Sequence, residues 1–402
     1  SLRTLGIEVA IIYGKEDRLS LPVRLADEGI YIPRDDPLAT YLDIEAIVKS
    51  AKEVGADAVH PGYGFLAENP TFARRLSEEG IKFIGPSSKV LKILGDKISA
   101  RKIMAEAGLP VAKGSDSPIS NVKEAEEIAR EIGFPIIIKA AAGGGGIGMQ
   151  IVNDYGELIK SVEKTKNLAK KAFGNSDEFL EKFIKNARHI EIQIFGFGKK
   201  KAVHFFERDC SIQRRFQKII EESPAPKIDQ SIIDEMAESA VNFVTNQKYE
   251  GAGTIEYIYD IDNKKFYFLE MNTRIQVEHP VTEAVTNFDL VAMQIKFALN
   301  MDINSIEQNK INKSGHAIEC RLYAEDPTKN FLPSPGKITK LEIPNTGLHN
   351  IRLDIGVDEG DEISFYYDPM IAKIISKGAD RTECIDNMIQ YLKGCLLYTS
   401  DA

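Results

Sequence analysis

Glu270-Met-Asn-Thr-Arg-Ile-Gln-Val-Glu-His279 closes the strand-like run Phe266-Tyr-Phe-Leu269 with two acids, two amides, an arginine and a histidine. Side chains alternate faces along a strand, so Phe266, Phe268, Glu270 and Asn272 are predicted on one side, where two oxygen donors leave the strand together. Upstream, Gly251-Ala-Gly-Thr-Ile-Glu-Tyr-Ile-Tyr259 is a second β-rich segment, and the turn from Asp260 to Lys264 suits a hairpin joining the two. That hairpin would bring Glu256 to the same place. Three oxygen donors on paired strands suit a hard divalent cation, Mg²⁺ or Mn²⁺. Spacing alone fits an exposed acidic strand end equally well.

The 402 residues are 43% hydrophobic and 28% charged, which predicts a globular chain long enough for two or three packed domains. A net charge of −9 argues against a broad nucleic-acid footprint, which draws on excess lysine and arginine. No apolar stretch reaches the ~18 residues that span a bilayer, and the N-terminus lacks a signal-peptide pattern, so a cytoplasmic enzyme with no membrane contact is expected. Cys210, Cys320, Cys384 and Cys395 form no Cys-x-x-Cys pair, and neither disulfides nor a structural zinc are indicated.

Ser1 to Gly6 reads as the end of a helix before the strand Glu8–Tyr13. Helical periodicity over 41–55, the short run Ala56–Val59, another helix and the strand Ile81–Gly85 together predict a parallel α/β sheet. His60-Pro-Gly-Tyr-Gly-Phe-Leu-Ala-Glu-Asn69 therefore follows a strand's carboxyl end, where open α/β sheets place ligands. After Pro110–Pro118 a smaller module begins, with a helix over Val122–Ile132 and a strand over Phe134–Lys139. Its loop Gly143-Gly-Gly-Gly-Ile-Gly148 runs into the strand-like Met149–Val152, which predicts a glycine hairpin and excludes a P-loop, since that needs Gly-Lys-Ser/Thr opening a helix. From Gly315 onward the β-rich segments Gly315–Arg321, Lys337–Ile343 and Glu362–Lys377 suggest a mixed third module. Residues 395–402 resemble a translated sequencing adapter and are set apart from the expected fold.

Five separated motifs resemble biotin carboxylase, the ATP-grasp component of biotin-dependent carboxylases. They are His60–Asn69, Lys139 with its glycine loop, Glu207-Arg-Asp-Cys-Ser-Ile-Gln-Arg-Arg215, Glu270 to Glu283, and Glu319-Cys-Arg321. The likeness runs from residue 1 to about 394; the family's opening strand and closing helical segment are expected to be missing. The resemblance implies an α/β (α+β) ATP-grasp fold. Its parts would be an N-terminal parallel α/β domain (1–94), an ATP-grasp domain (95–300) with a lid over about 111–184, and a C-terminal mixed domain (315–394).

The activity implied is ATP-dependent conversion of bicarbonate to carboxyphosphate, then transfer of CO₂ to N1′ of biotin on a carrier. By the same resemblance, Glu256, Glu270 and Asn272 hold Mg²⁺ or Mn²⁺. Lys97 and Lys139 contact ATP phosphates while the amides of Gly145 and Gly146 close over them. Glu181, Lys182, the backbone of Ile184 and His189 contact the nucleoside. Lys218, Arg274 and the backbone of Val277 receive bicarbonate, Glu278 is its general base, and Arg274 and Arg321 face biotin. An ordinary ion pair for Arg321 stays open, as do solvated lysines for Lys97 and Lys139.

The glycine loop departs from the family at Ile147 and Gln150, and Phe216 stands where histidine is common, so Phe216 is left out of the site. No Met-Lys-Met biotinylation motif occurs in the chain. A biotin carboxyl carrier protein and a carboxyltransferase component are the implied partners, and a homodimer is expected. Relatives serve acetyl-CoA, propionyl-CoA and pyruvate carboxylases. Two other readings are a carbamoyl-phosphate synthetase-type ligase, which the Arg274–His279 segment argues against, and a binding-only module, which the intact acids argue against.

Overall fold

The computed structural model describes the chain except for residues 96, 116, 120, 141–148, 174–176, 199–200, 302, 304–305, 345–349 and 400–402, and gives backbone alone for 97–99, 169, 172–173 and 396–399. Gly145 and Gly146, and the side chain of Lys97, lie outside the described residues.

The N-terminal part holds two parallel strand pairs, β1 (Ala10–Tyr13) with β2 (Glu28–Tyr31) and β3 (Ala58–Val59) with β4 (Lys82–Phe83). The parallel α/β expectation is met, though as two short pairs among the described residues. The helix expected over 41–55 is divided. After α1 (Leu21–Leu25), α2 (Pro37–Leu42) stops at Asp43, whose side chain caps α3 (Ile44–Glu53) by accepting from Ala46 N at 2.9 Å. α4 (Pro70–Glu78) begins with Asn69 as its cap, so the polar loop His60–Asn69 is pinned at that end. α5 (Ser88–Gly95) and α6 (Lys97–Glu106) lead onward.

The small module is a three-stranded sheet in the order β6-β5-β7. α7 spans Val122–Ile132, as predicted, followed by β5 (Ile136–Ala140), β6 (Met149–Val152), α8 (Tyr155–Phe173) and β7 (Glu178–Lys182). β5 and β6 pair antiparallel, consistent with the expected hairpin. Ile136, Ile138 and Leu180 join Ala125, Ala129 and Leu158 in this module's own core.

One eight-stranded sheet dominates the rest, in the order β12-β11-β8-β9-β10-β13-β19-β17. Its strands are β8 (Ala187–Phe197), β9 (Ala202–Arg214), β10 (Gln217–Ser223), β11 (Glu250–Asp260), β12 (Lys265–Asn272), β13 (His316–Tyr323), β17 (Ile351–Ile355) and β19 (Met370–Gly378). The short strands β14 (Glu325–Asp326) and β15 (Leu332–Pro333) pair with each other, and β16 (Gly336–Glu342) pairs with β18 (Glu362–Ile363). Since β13 pairs with β10, the strands β13, β19 and β17 of the predicted third module extend the same sheet, whereas β16 and β18 belong to a separate one. β20 (Leu396–Thr399), within the adapter-like tail, pairs antiparallel with β16. α9 (Gln230–Asn246) packs its apolar stripe of Ile233, Met236, Ala240, Phe243 and Val244 on one face of this sheet. α10 (His279–Thr286) lies on the other, with α11 (Leu290–Ala298) following and α12 (Arg381–Gly394) near the far edge.

The β11–β12 hairpin forms with the predicted turn, but its facing differs from the prediction. Ile255, Tyr257 and Tyr259 share the core under α9 with Phe266, Phe268 and Met271. Ile255 stands opposite Met271, Glu256 opposite Glu270, and Tyr257 opposite Phe268, so Leu269 is an extra residue in β12. This bulge reverses the alternation. Glu270 and Asn272 therefore face away from Phe266 and Phe268 rather than sharing their side.

Candidate active site

Register across the sheet aligns Glu270, Glu256, Glu191 and Arg208 as one row over β12, β11, β8 and β9. Glu256 is 4% exposed, while Glu191 and Arg208 are completely buried. Arg208 Nε donates to Glu191 Oε1 at 2.5 Å, and its Nη1 donates to Gln193 Oε1 at 2.7 Å and to Thr282 Oγ1 of α10 at 2.8 Å. The guanidinium thus ties the sheet to the helix that follows Glu278.

Lys218 of β10 reaches into the middle of this row. Its Nζ donates to Glu191 Oε2 at 2.6 Å, to Glu278 Oε1 at 2.7 Å and to Glu256 Oε1 at 2.9 Å. Burial pulls the Lys218 pKa down, but the three carboxylates outweigh it and hold the ammonium well above its ordinary range. The same attraction works in reverse on the acids. Burial favours neutral Glu278, yet Lys218, Arg321 and Arg208 keep its carboxyl well below the usual value. Glu256 is likewise lowered, with Lys218 and His189 overcoming its burial.

Glu256 Oε1 also accepts from Asn272 Nδ2 at 2.8 Å and from Gln276 Nε2 at 3.0 Å. His189 Nε2 lies 2.7 Å from Glu256 Oε2 without the alignment of a hydrogen bond, and its Nδ1 is 2.9 Å from Gln213 Nε2. Two cross-strand carboxylates and an amide form a hard donor set, which fits Mg²⁺ or Mn²⁺. Cys210 lies close to Glu191 and Glu278, but burial and the Glu191 charge hold its thiol well above the ordinary value. It is not a ligand candidate.

Beyond β12 the chain turns into α10, with Glu278 at the helix cap position and Pro280 in the first turn. Arg274, in the connecting segment, is held by three side chains and by the Ile275 carbonyl, to which its Nη1 donates at 3.2 Å. Its Nε donates to Glu68 Oε2 at 3.1 Å, Nη1 to Gln276 Oε1 at 3.0 Å, and Nη2 to Asn272 Oδ1 at 3.1 Å. Glu68 also accepts from Thr273 N at 2.8 Å and Thr273 Oγ1 at 3.0 Å. The polar loop before α4 therefore reaches the site through one carboxylate. Arg321 of β13 donates from Nη2 to Glu278 Oε2 at 3.0 Å and from Nε to Glu221 Oε1 at 2.7 Å. The Val277 carbonyl accepts from Lys373 Nζ at 3.1 Å.

Of the predicted residues, Lys218, Glu256, Asn272, Arg274, Glu278, His189 and Arg321 thus meet in one network, with Glu270 opposite Glu256. Lys139, Glu181, Lys182 and Ile184 belong to the small module. Lys139 Nζ pairs with Glu181 Oε2, and Lys182 Nζ donates to the carbonyls of Gly133 at 3.0 Å and Phe134 at 2.9 Å. Residues not predicted from sequence are Glu68, Glu191, Gln193, Arg208, Gln213, Gln276 and Glu221. Polar residues at every second position in apolar strands, as at Glu191 and Gln193, are the signal that could have found some of them.

Three family models match the chain: biotin carboxylase N-terminal domain over 1–91, carbamoyl-phosphate synthase L chain ATP-binding domain over 96–306, and biotin carboxylase C-terminal domain over 319–398. The chain is 47% identical over 386 residues to biotin carboxylase 1 of Bacillus subtilis, covering 96% of itself and 85% of that protein. It is 45% identical over 387 residues to the biotin carboxylase of Pseudomonas aeruginosa, again covering 96% and 85%. Among solved structures, the biotin carboxylase domain dimer of Hydrogenobacter thermophilus 2-oxoglutarate carboxylase, in complex with MgADP, ADP and bicarbonate, superposes with a TM-score of 0.95 at 43% identity, covering 99% of this chain and 87% of that one. A biotin carboxylase complex from Campylobacter jejuni gives a TM-score of 0.95 at 41% identity, covering 99% and 88%.

Proposed function

This chain belongs to the biotin carboxylase family, and from that premise we propose how its own residues divide the ATP- and bicarbonate-dependent carboxylation of biotin. The observation that carries the division is Lys218, whose ammonium bridges Glu256 of the metal-suited group to Glu278 of the bicarbonate group. Glu256, Glu270 and Asn272 hold Mg²⁺ or Mn²⁺, which neutralises charge on the ATP phosphates. Lys97, Lys139 and the amides of Gly145 and Gly146 contact those phosphates. Glu181, Lys182, Ile184 and His189 contact the nucleoside.

Bicarbonate binds against Lys218, Arg274 and the Val277 backbone, and Glu278 takes its proton. Its oxygen forms the bond to the γ-phosphorus as the bond to ADP breaks, giving carboxyphosphate. That intermediate divides into CO₂ and phosphate, the phosphate takes the N1′ proton of biotin, and N1′ bonds to CO₂. Arg274, with Arg321 beside it, stabilises the oxyanion that biotin develops, a role suited to a delocalised cation. The partners are a biotin carboxyl carrier protein and a carboxyltransferase component, in a homodimeric, cytoplasmic assembly. No described helix is long and apolar enough to cross a membrane.

Bicarbonate-dependent ADP release, stimulated by free biotin, is the expected activity. Arg274→Ala should abolish the biotin stimulation, and ATP hydrolysis indifferent to bicarbonate and biotin would overturn the reading. Glu68→Ala has a milder expected effect, because the Glu68 side chain is 38% exposed. Loss of its restraint on Arg274 should raise the KM for biotin about fivefold, equivalent to ~1 kcal/mol, while leaving ADP binding unchanged. Steady-state kinetics with isothermal titration of ADP would check both halves.

A further inference from the structure

β10 and β13 pair with Glu221 directly opposite Glu319. Both carboxyl groups lie on the face covered by α10, since Ala317 on that face of β13 packs with Val281 and Val285. Both residues are fully buried. Glu221 Oε1 accepts from Arg321, but among the described residues Glu221 Oε2 and both oxygens of Glu319 have no hydrogen-bond partner. The same Arg321 reaches Glu278 at 3.0 Å. One guanidinium therefore spans the buried pair and the proposed base.

We propose that Glu221 and Glu319 share a single proton and act together as positioning residues for Arg321. The proposal rests on the carboxylase reading above. Two ionised carboxylates cannot stand side by side with three bare buried oxygens, because a buried charge without partners is among the most costly arrangements in a protein. A proton on Glu319, donated to Glu221 Oε2, satisfies two of the three. Cross-strand neighbours have Cβ atoms ~4.5–5.5 Å apart, a span that two glutamate side chains bridge.

The surrounding charges agree with this assignment. Facing the pair are Lys218 from β10, Arg321 and Tyr323 from β13, Lys373 from β19, Tyr63 from the 60–69 loop and Glu278 ahead of α10, with Glu191, Arg208 and the neutral Cys210 behind them on β8 and β9. Burial and then the charge of Glu221 hold Glu319 well above the carboxylate range. For Glu221, burial, opposed by Arg321 and reinforced by Glu278, pushes the value up to about 7. Above that pH Glu221 is an ionised anchor for Arg321. Below it the anchor is neutral, and Arg321 retains Glu278 as its charged partner, with the Tyr323 hydroxyl beside it. Turnover on biotin should accordingly rise through an acidic limb near pH 7.

The test compares Glu319→Gln, Glu319→Met and Glu221→Gln in full pH profiles of kcat/KM for free biotin. Glutamine mimics a neutral donor, so Glu319→Gln should leave the limb in place. Methionine removes the donor, leaves ionised Glu221 unsupported, and should move the limb to higher pH. Glu221→Gln should erase the limb and raise the KM for biotin roughly tenfold. A shift to lower pH in both Glu319 variants would mean that Glu319 is ionised, and no shift in Glu319→Met would mean that the pair is uncoupled; either overturns the proposal. Infrared difference spectra of wild type against Glu319→Gln give a readout independent of turnover. A protonated-carboxyl C=O band lost in the variant is expected, and its absence from wild type would overturn the shared proton even if the carboxylase assignment stands.

Discussion

Replacing Glu278 with glutamine is expected to lower bicarbonate-dependent ADP release by about 10²–10⁴-fold, the range for loss of a positioned proton acceptor. Glutamine keeps the size of the side chain and can still accept from Lys218 or Arg321, so ATP binding and thermal stability should change far less than turnover. The wild-type carboxylate is held well below its ordinary value by Lys218, Arg321 and Arg208. It is therefore ionised throughout the working range and produces no limb near neutrality. A single-turnover measurement with ATP and bicarbonate, alongside nucleotide titration, separates the chemical step from binding. Turnover within threefold of wild type would remove Glu278 from the role of base.

The second large effect is expected at Lys218. Lys218→Met leaves Glu191, Glu256 and Glu278 facing one another without the ammonium that each now touches. Removing one partner from a buried charge group costs about 3–5 kcal/mol, and this centre has three acids to one lysine. The cost should depend on pH. In wild type the depressed value of Glu278 contributes stability that is present above its ordinary value of 4.5 and lost as pH falls toward the depressed one. In the variant, burial of Glu256 and Glu278 is less opposed and their folded-state values rise. Acids with raised values bind protons more tightly when folded, so stability is kept at low pH and lost as pH rises. Denaturant unfolding at about pH 5 and pH 8 should therefore show the larger deficit at pH 8, and an equal deficit at both would contradict the electrostatic account.

Much of the site was legible because its chemistry is local in sequence. The stretch from Glu270 to His279 puts Asn272, Arg274 and Glu278 within a few residues, and one hairpin turn brings Glu256 to Glu270. The helix Val122–Ile132 and the β5–β6 hairpin were legible for the same reason. What was hidden depends on registers between distant strands. Nothing near Glu191 announces that Glu256 on β11 and Arg208 on β9 flank it, and nothing near Glu221 announces Glu319, almost a hundred residues later. Glu68 was quoted within a ligand-placing loop, yet its contact with Arg274 spans 206 residues of sequence. The facing of Phe266 and Glu270 failed for another reason. Alternation counts residues, and a bulge adds one without changing the composition of the strand.

That added residue makes the length of β12 as consequential as its letters. Without Leu269 the same amino acids could not serve both ends of the strand: seating Phe266 and Phe268 beneath α9 would turn the acid and amide inward, and keeping those outward would expose the two rings. A shortened β12 would keep all three named ligands and still misdirect two of them, Glu270 and Asn272. An intact motif is therefore insufficient evidence of an intact site unless the spacing to the preceding phenylalanines is also preserved.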